Sequence, residues 1–240
     1  MSTAKELRNW VKAGESPIAA ALKTLVSSLR TASVPVVPGL HRALYGLHRS
    51  VSGGWSTFKR VAWHTPLFQS RLTRPAEKLY LYGGLPLVLG PIEMTFGGSV
   101  RMSAQTTVTG RHASDMTPVL IVGDNVDIGW QTTIAVGSRV EIGNNVRIAG
   151  RAFLAGYPGH PLDARARAAG LPDTDDQIGD IILEDDVWLA TNVSVSAGVR
   201  IGAGTIVAAG SVVTRDLPPG VLAAGVPAQV IRSLPGDQQS

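Results

Sequence analysis

The stretch LEDDVWLATNVSVSAGVRIGAGTIVAAGSVV, residues 183–213, places an apolar residue at every sixth position. These residues are Leu183, Leu189, Val195, Ile201, Val207 and Val213. An α-helix repeats about every 3.6 residues and a strand about every two, so neither element produces this spacing. A parallel β-helix does, because six residues make one flat face and one corner, and three such units close a triangular coil.

The same spacing continues toward the N-terminus in three earlier sets of apolar residues. These sets are Phe96, Met102 and Val108; Val122, Ile128 and Ile134; and Val136, Ile142 and Ile148. The step of two between the second and third sets predicts an irregular corner. Residues 111–118 and 157–179 interrupt the repeat and predict a short polar loop and a long excursion. We therefore expect a β-helix over residues 79–220 and a C-terminal cap and tail over 221–240.

Residues 1–78 follow the pattern of amphipathic helices instead. Apolar side chains recur at intervals of three and four in the segments 3–31, 40–51 and 55–72. Pro17 and the pair Gly53-Gly54 are expected to break these helices. The sequence thus predicts an α-helical N-terminal region followed by an all-β domain.

Charge divides the chain in the same way. Residues 1–80 carry twelve Lys or Arg and three Glu, a net charge of +9, whereas residues 81–240 carry ten basic and fifteen acidic residues, a net charge of −5. One interpretation of the basic region is a solvated helix surface. The other is peripheral contact of residues 1–75 with an anionic membrane, which Trp10, Trp55 and Trp63 would suit. No nucleic-acid module is recognised, so no nucleic-acid partner is expected.

Composition excludes several classes of site. The chain has no cysteine, which rules out disulfides, thiolate metal sites and a cysteine nucleophile. No apolar run approaches the roughly 18 residues of a membrane-spanning helix. The first residues lack a secretory apolar core, so a cytoplasmic protein is expected.

Catalytic residues of a solenoid are expected where its regularity breaks, because loops carry polar groups out of the stacked coils. His41, His48 and His64 fall in the helical region, and His112 falls in the short loop. His160 alone stands at the mouth of the long excursion. A histidine titrates near neutral pH and can take the proton of a hydroxyl group, so His160 is the candidate general base.

Several motifs resemble those of the hexapeptide-repeat O-acetyltransferases, in particular the maltose, galactoside and nodulation-factor acetyltransferases. The motifs are HPLD at 160–163, DDVWL at 185–189, AAGSVVTRD at 208–216, AGVPA at 224–228 and VIR at 230–232. The resemblance covers residues 85–234. It implies a homotrimer of left-handed parallel β-helices, with acetyl-CoA or another acyl-CoA bound between two subunits and a histidine as general base. Direct transfer to a hydroxyl group is expected, because no acyl-enzyme nucleophile can be discerned.

The resemblance also implies a cofactor groove formed by six matching residues: Trp188, Thr191, Ala209, Thr214, Arg215 and Arg232. Trp188 would border the acyl end, although a large ring equally suits packing between subunits. Thr191 and Ala209 would offer backbone groups to the pantetheine amides. Thr214 and Arg215 would lie near the nucleotide phosphates, where an arginine fork suits phosphate oxygens.

The C-terminal tail would add Arg232 to the phosphate site. Gln229 stands where the family often has a cation, which puts one phosphate contact in doubt. A solvated corner charge is the alternative role for Arg215.

The acceptor side departs from the family pattern. Where the sugar acetyltransferases have an Asn and an Asp ahead of the histidine, this chain has segments 129–131 and 136–138, without a carboxylate. Trp130 and Gln131 are the candidate acceptor-binding residues; packing on the coil surface is their alternative role. Asp163 either orients the imidazole or fixes the loop.

The acidic residues Asp173, Asp175 and Asp176 are expected to be solvated. A zinc enzyme of the γ-carbonic anhydrase type would need three converging histidines, and only His112 and His160 lie in the repeat region, so no metal is expected. A non-catalytic trimeric scaffold is the second alternative. A sugar-nucleotide transferase is disfavoured, since no nucleotidyltransferase domain precedes the repeats.

Overall fold

The structure is a computed structural model that describes residues 2–113 and 116–235. The chain forms two compact units, Met1–Ser52 and Gly53–Ser240. Within the described residues, no helix is both long and apolar enough to cross a membrane.

Three helices precede the solenoid: α1 (Ser2–Ala13), α2 (Pro17–Thr31) and α3 (Pro38–Lys59). The side chain of Ser16 caps α2 by accepting a hydrogen bond from the Ala19 N–H, and Pro17 fills the first turn, where its missing N–H is not needed. The predicted break between α1 and α2 is thus present.

The predicted break at Gly53-Gly54 is wrong, because α3 continues through both residues to Lys59. Glycine lowers helix stability by about 1 kcal/mol relative to alanine but keeps the N–H that a proline lacks. The apolar stripe also continues beyond the glycines, where the rings of Trp55 and Phe58 stack at 5.4 Å.

The segment after α3 covers the open end of the first coil. A π-helical turn (Arg60–His64) leads into α4 (Thr65–Gln69). The ring of Phe68 meets Phe96 edge to face, with centroids 5.6 Å apart. Phe68, Leu72 and Leu79 join the solenoid core. An uncovered coil would leave this apolar cross-section in water.

The second unit is a left-handed parallel β-helix whose strands form three sheets, one for each face. The first face contains β1 (Tyr80–Tyr82), β4 (Arg101–Ser103), β7 (Asp127–Ile128), β10 (Arg147–Ile148), β13 (Trp188–Leu189) and β16 (Ile206–Val207). The second contains β2 (Leu87–Leu89), β5 (Thr107–Gly110), β8 (Thr133–Val136), β11 (Phe153–Ala155), β14 (Ser194–Ser196) and β17 (Val212–Val213). The third contains β3 (Glu93–Phe96), β6 (Val119–Val122), β9 (Arg139–Ile142), β12 (Ile181–Leu183) and β15 (Arg200–Ile201).

The six-residue repeat supplies the core, as the sequence predicts. Leu189 pairs with Ile148 and Val207 on the first face, and Val195 pairs with Val213 on the second. All of these side chains are buried. Burying an aliphatic side chain of this size stabilises the fold by about 1.5–3 kcal/mol, so stacked repeats can maintain a solenoid with few aromatics.

Two edges border the second face and position the site. The upstream edge is where the chain turns from the first face to the second, at residues 129–132, 149–152, 190–193 and 208–211. The downstream edge is where it turns from the second face to the third, at residues 111–113, 116–118, 137–138, 156–180 and 214–216. Both interruptions of the repeat therefore begin and end at the same edge.

The irregular corner predicted between Ile134 and Val136 lies on this downstream edge. There β8 extends to Val136, and only Gly137 and Ser138 separate it from β9. A Cβ at Gly137 would lie 2.4 Å from the carbonyl oxygen of Gly156, so this close approach requires glycine.

A hairpin follows the last coil. β18 (Val221–Gly225) pairs with β16 in parallel and extends the first face, and β19 (Ala228–Ser233) pairs with β18 in antiparallel orientation. Residues 236–240, which belong to the predicted tail, lie outside the described residues.

Candidate active site

Three of the predicted site residues lie on the upstream edge, where one coil separates Trp130 from the successive coils of Thr191 and Ala209. Trp130, Thr191 and Ala209 all occupy corner positions there. The Arg151 N–H donates to the carbonyl of Trp130 at 2.8 Å, and the Gly210 N–H donates to that of Thr191 at 3.0 Å. The predicted acceptor and pantetheine contacts thus share one edge within a chain.

Arg151 joins the two predicted acceptor residues on this edge. Its guanidinium carbon lies 4.9 Å from the centroid of the Trp130 ring, and its Nε donates to Gln131 Oε1 at 3.1 Å. All three side chains are exposed. Arg151 was not predicted as a site residue. It occupies a corner position with φ of +64°, and the six-residue repeat marks only the apolar positions that point inward.

Trp188 lies on the outer side of the first face, on β13, which leads directly into the upstream edge. Its side chain is half-exposed, and its backbone pairs with Arg147 and Ile206 in the neighbouring coils. Arg232 lies on β19 and pairs with Leu222, which extends the same face.

Thr214, Arg215 and His160 belong to the downstream edge. Thr214 and Arg215 follow β17 directly and are exposed. His160 lies in the loop that leaves β11 and returns at β12. Within one chain the second face therefore separates His160 from Thr191 and Ala209.

His160 presents its imidazole to solvent. Within residues 2–113 and 116–235, the ring has no hydrogen-bond partner, whereas the backbone carbonyl of His160 accepts from Gln177 Nε2 at 3.4 Å. A base in this setting is free to meet the hydroxyl group of an incoming acceptor.

Asp163 fixes the loop rather than the imidazole. Its carboxylate accepts a hydrogen bond from the Ala166 N–H at 2.7 Å and caps the short helix α5 (Ala164–Ala168). Of the two roles predicted for Asp163, the structure therefore favours fixing the loop.

The prediction that the acidic residues of the loop are solvated is wrong for one of the three, Asp173. Asp173 is 5% exposed and accepts from Arg111 Nε at 2.6 Å. Asp175 accepts from Arg111 Nη1 at 2.7 Å, but its side chain stays exposed, as does that of Asp176. The carboxylates have a specific partner because the short loop and the long loop leave the same edge.

No group of three or more potential metal ligands occurs among the residues that the structure describes. His112 is exposed at the root of the short loop.

The comparisons with known proteins agree with this architecture. The family model described as bacterial transferase hexapeptide (six repeats) matches residues 180–215. Galactoside O-acetyltransferase of Escherichia coli (strain K12) is 37% identical over 113 residues, which is 47% of this chain and 53% of that protein. The chain spans about half the length of the curated relatives it matches.

A solved structure extends the likeness to the fold. AntD, an N-acyltransferase from Bacillus cereus in complex with dTDP and 3-hydroxybutyryl-CoA, gives a TM-score of 0.55 at 16% identity, covering 71% of this chain and 87% of that one. The family model and the curated relatives confirm the predicted resemblance to hexapeptide-repeat acetyltransferases over part of the chain, and the solved structure shows the likeness of the fold alone.

Proposed function

We propose that this protein is a CoA-dependent O-acyltransferase. It moves an acyl group, acetyl in the simplest case, from acyl-CoA to a hydroxyl group of a sugar, a polysaccharide precursor or a glycosylated metabolite. The observation that carries this proposal is the exposed imidazole of His160, whose ring bonds to no other described residue, in an anchored loop beside the uncharged second face. The similarity to galactoside O-acetyltransferase supports the choice of a hydroxyl acceptor.

His160 acts as the general base in a direct transfer. Its imidazole takes the hydroxyl proton as the acceptor oxygen attacks the thioester carbonyl. The new C–O bond forms, the C–S bond breaks, and the CoA thiolate leaves and takes the proton from the imidazolium. Backbone N–H groups at a corner would stabilise the tetrahedral oxyanion.

Acyl-CoA would lie along the edges of the second face. Thr191 and Ala209 would offer backbone groups to the pantetheine amides, and the half-exposed Trp188 would border the acyl end. Thr214 and Arg215 would bind the nucleotide phosphates, with Arg232 adding charge. Trp130 and Gln131 would hold the acceptor, and Arg151 suits one that carries an anionic group.

The second face is the surface through which three copies would pack. Its outward side chains are all uncharged: Leu87, Leu89, Thr107, Thr109, Thr133, Ala135, Phe153, Ala155, Ser194, Ser196 and Val212. The other faces carry outward charges such as Arg101, Asp127, Arg139 and Glu141. Subunit interfaces are depleted of charge at their centre, which favours the second face.

A threefold arrangement would also reunite the site. When three chains pack with their second faces around a threefold axis parallel to the axis of the β-helix, the downstream edge of each chain lies beside the upstream edge of the next. His160 of one chain would then meet Thr191 and Ala209 of its neighbour. The separation of these residues within one chain supports a trimer with shared sites.

The activity is tested by following the release of free CoA thiol from acetyl-CoA in the presence of sugars, glycosides and glycosylated metabolites. We expect thiol release that depends on an acceptor, with the ester confirmed by mass spectrometry. A non-catalytic scaffold would bind no CoA and would release thiol at the background rate with every acceptor. That outcome would reject the proposal.

Residues 1–75 would contact an anionic membrane surface peripherally, and the protein would be cytoplasmic. The cleft between α1 and α2 is lined by apolar residues that include Leu7, Val11 and Val26. It is also lined by four basic residues, Arg8, Lys12, Lys23 and Arg30. An apolar surface bordered by cations matches acyl chains bordered by anionic headgroups.

The double substitution of Lys23 and Arg30 by Gln is expected to weaken partition onto phosphatidylglycerol vesicles by about 30-fold, since each cation near an anionic surface contributes about 1 kcal/mol. Cosedimentation measures the partition, with phosphatidylcholine vesicles as the uncharged comparison. Replacing Arg139 and Arg200 on the third face by Gln is the matched control. Equal binding to both vesicle types by the unaltered protein would leave the basic helices as a solvated surface.

A further inference from the structure

Arg111 links the second coil to the loop that carries His160. It follows β5 directly, is 2% exposed, and uses all three guanidinium nitrogens. Nε donates to Asp173 Oδ1 at 2.6 Å, Nη2 donates to the backbone carbonyl of Asp173 at 2.9 Å, and Nη1 donates to Asp175 Oδ1 at 2.7 Å. This side chain thus holds both the backbone and the carboxylates of the returning half of the loop.

Asp173 also bonds to Gly159, the residue before the proposed base. Its second carboxylate oxygen, Oδ2, accepts a hydrogen bond from the Gly159 N–H at 2.9 Å. Gly159 has φ of +79°, a conformation that favours glycine, and the next residue is His160. A continuous path of hydrogen bonds therefore runs from Arg111 through Asp173 to the backbone that presents the imidazole.

A second contact anchors the start of the loop on the same coil. The hydroxyl of Tyr157 donates to Thr109 Oγ1 at 2.9 Å. Thr109 is on β5 and Arg111 follows it directly, so the departing and the returning parts of the loop are bonded to the same coil. The third coil lies between, and the start of the loop packs closely on its two-residue corner, since a Cβ at Gly137 would lie 2.4 Å from the carbonyl oxygen of Gly156.

A buried ion pair is weak evidence of stability, because removing both charges from water costs about as much as their attraction returns. Burial opposes the charge of Arg111, but its hydrogen bonds to Asp173 and Asp175 prevail and raise the pKa of Arg111 above its usual value. The guanidinium therefore stays charged and holds its acceptors. The charged network therefore serves to fix the position of the loop rather than to increase the stability of the fold.

We propose that Arg111 is a positioning residue for His160, acting through Asp173 and the Gly159 amide without touching the substrate. This inference rests on the proposed transferase function. A base displaced by about 1 Å can cost roughly 10²-fold in rate, which sets the scale of the effect.

The test compares Arg111→Ala with Arg139→Ala, which removes an exposed arginine paired with Glu141 on the third face. For Arg111→Ala we expect kcat to fall about 10–100-fold, with the Kd for acetyl-CoA within about twofold of the unaltered protein. Amide hydrogen exchange over residues 157–163 should become faster. Millimolar guanidinium should restore much of kcat, because it can occupy the vacated space between the carboxylates. Arg139→Ala should change none of these readouts.

If Arg111→Ala does not fold, a second variant tests the same proposal. The double variant Arg111→Met/Asp173→Leu replaces the ion pair with apolar side chains of similar size, which buried sites tolerate. It should fold, remain slow and be insensitive to guanidinium, since the acceptor for the Gly159 amide is gone.

Two results would overturn the assignment. One is unchanged exchange over residues 157–163 in Arg111→Ala, which would mean that Arg111 does not hold the loop. The other is faster exchange with an unaltered kcat, which would mean that the order of the loop does not matter to His160. An unaltered protein without acyl transfer would instead reject the proposed function, and the exchange measurement would still decide whether Arg111 holds the loop.

Discussion

Replacing His160 by alanine is expected to lower turnover by about 10²–10⁴-fold, the range that a positioned general base contributes. Binding of acetyl-CoA should survive, because the predicted cofactor contacts are on other elements. The imidazole is exposed and its ring bonds to no other described residue, so its removal should leave the melting temperature nearly unchanged. Steady-state kinetics, calorimetric titration with acetyl-CoA and thermal melting measure the three quantities.

His112→Ala is the matched control for this prediction. His112 is also exposed at the downstream edge, but it lies on the short loop. Its removal should leave turnover within about twofold of the unaltered protein, as is usual for a surface side chain outside the site. Normal turnover in His160→Ala together with a large loss in His112→Ala would move the base to the short loop.

A charge on the second face is expected to separate the subunits. Phe153 lies on β11 between Thr133 and Ser194 of the neighbouring coils and is half-exposed in one chain. Phe153→Arg would bring three unpaired cations close to the threefold axis, out of contact with water. Desolvation of several kcal/mol for each chain should weaken the trimer by about 10⁴-fold or more.

Light scattering after gel filtration measures this change as a fall from three chains to one. Val119→Arg, on the outer side of the third face, is the control and should leave the assembly intact. Because Phe153 is accessible in a single chain, the substitution should preserve the β-helix, which circular dichroism can verify. A trimer that survives Phe153→Arg would exclude the second face as the interface.

The interior of the β-helix could be predicted from the sequence because it depends on local spacing. A side chain such as Val195 points inward whenever six residues make one face and one corner, whatever the loops contain. The corner near Gly137 was also predictable, since the repeat there slips by two. The helix α3 was not, because its apolar stripe outweighs the two glycines that were expected to end it.

The arrangement of the loops was harder to predict. The sequence marks both interruptions, but only the strand order reveals that they leave the same edge. Arg111 and Asp173 are 62 positions apart, and no local pattern signals that they pair. Counting faces from the start of the solenoid could have found the shared edge, and a search for opposite charges across it could then have found the ion pair.

In the proposed trimer, each active site is completed by two chains. His160 lies on the downstream edge, whereas Thr191 and Ala209 lie on the upstream edge of the same second face. If the site is shared, His160→Ala damages only the site to which a chain supplies its downstream edge. Ala209→Trp, a large side chain at an exposed corner, damages only the upstream contribution.

Coexpression of His160→Ala with Ala209→Trp, each carrying a different affinity tag, tests this claim most directly. In every mixed trimer, with two chains of one variant and one of the other, one of the three sites should combine an intact downstream edge with an intact upstream edge. The isolated mixed trimers should therefore regain about a third of the normal turnover, although each variant alone is nearly inactive. Mixed trimers no more active than the separate variants would contradict a site shared between chains.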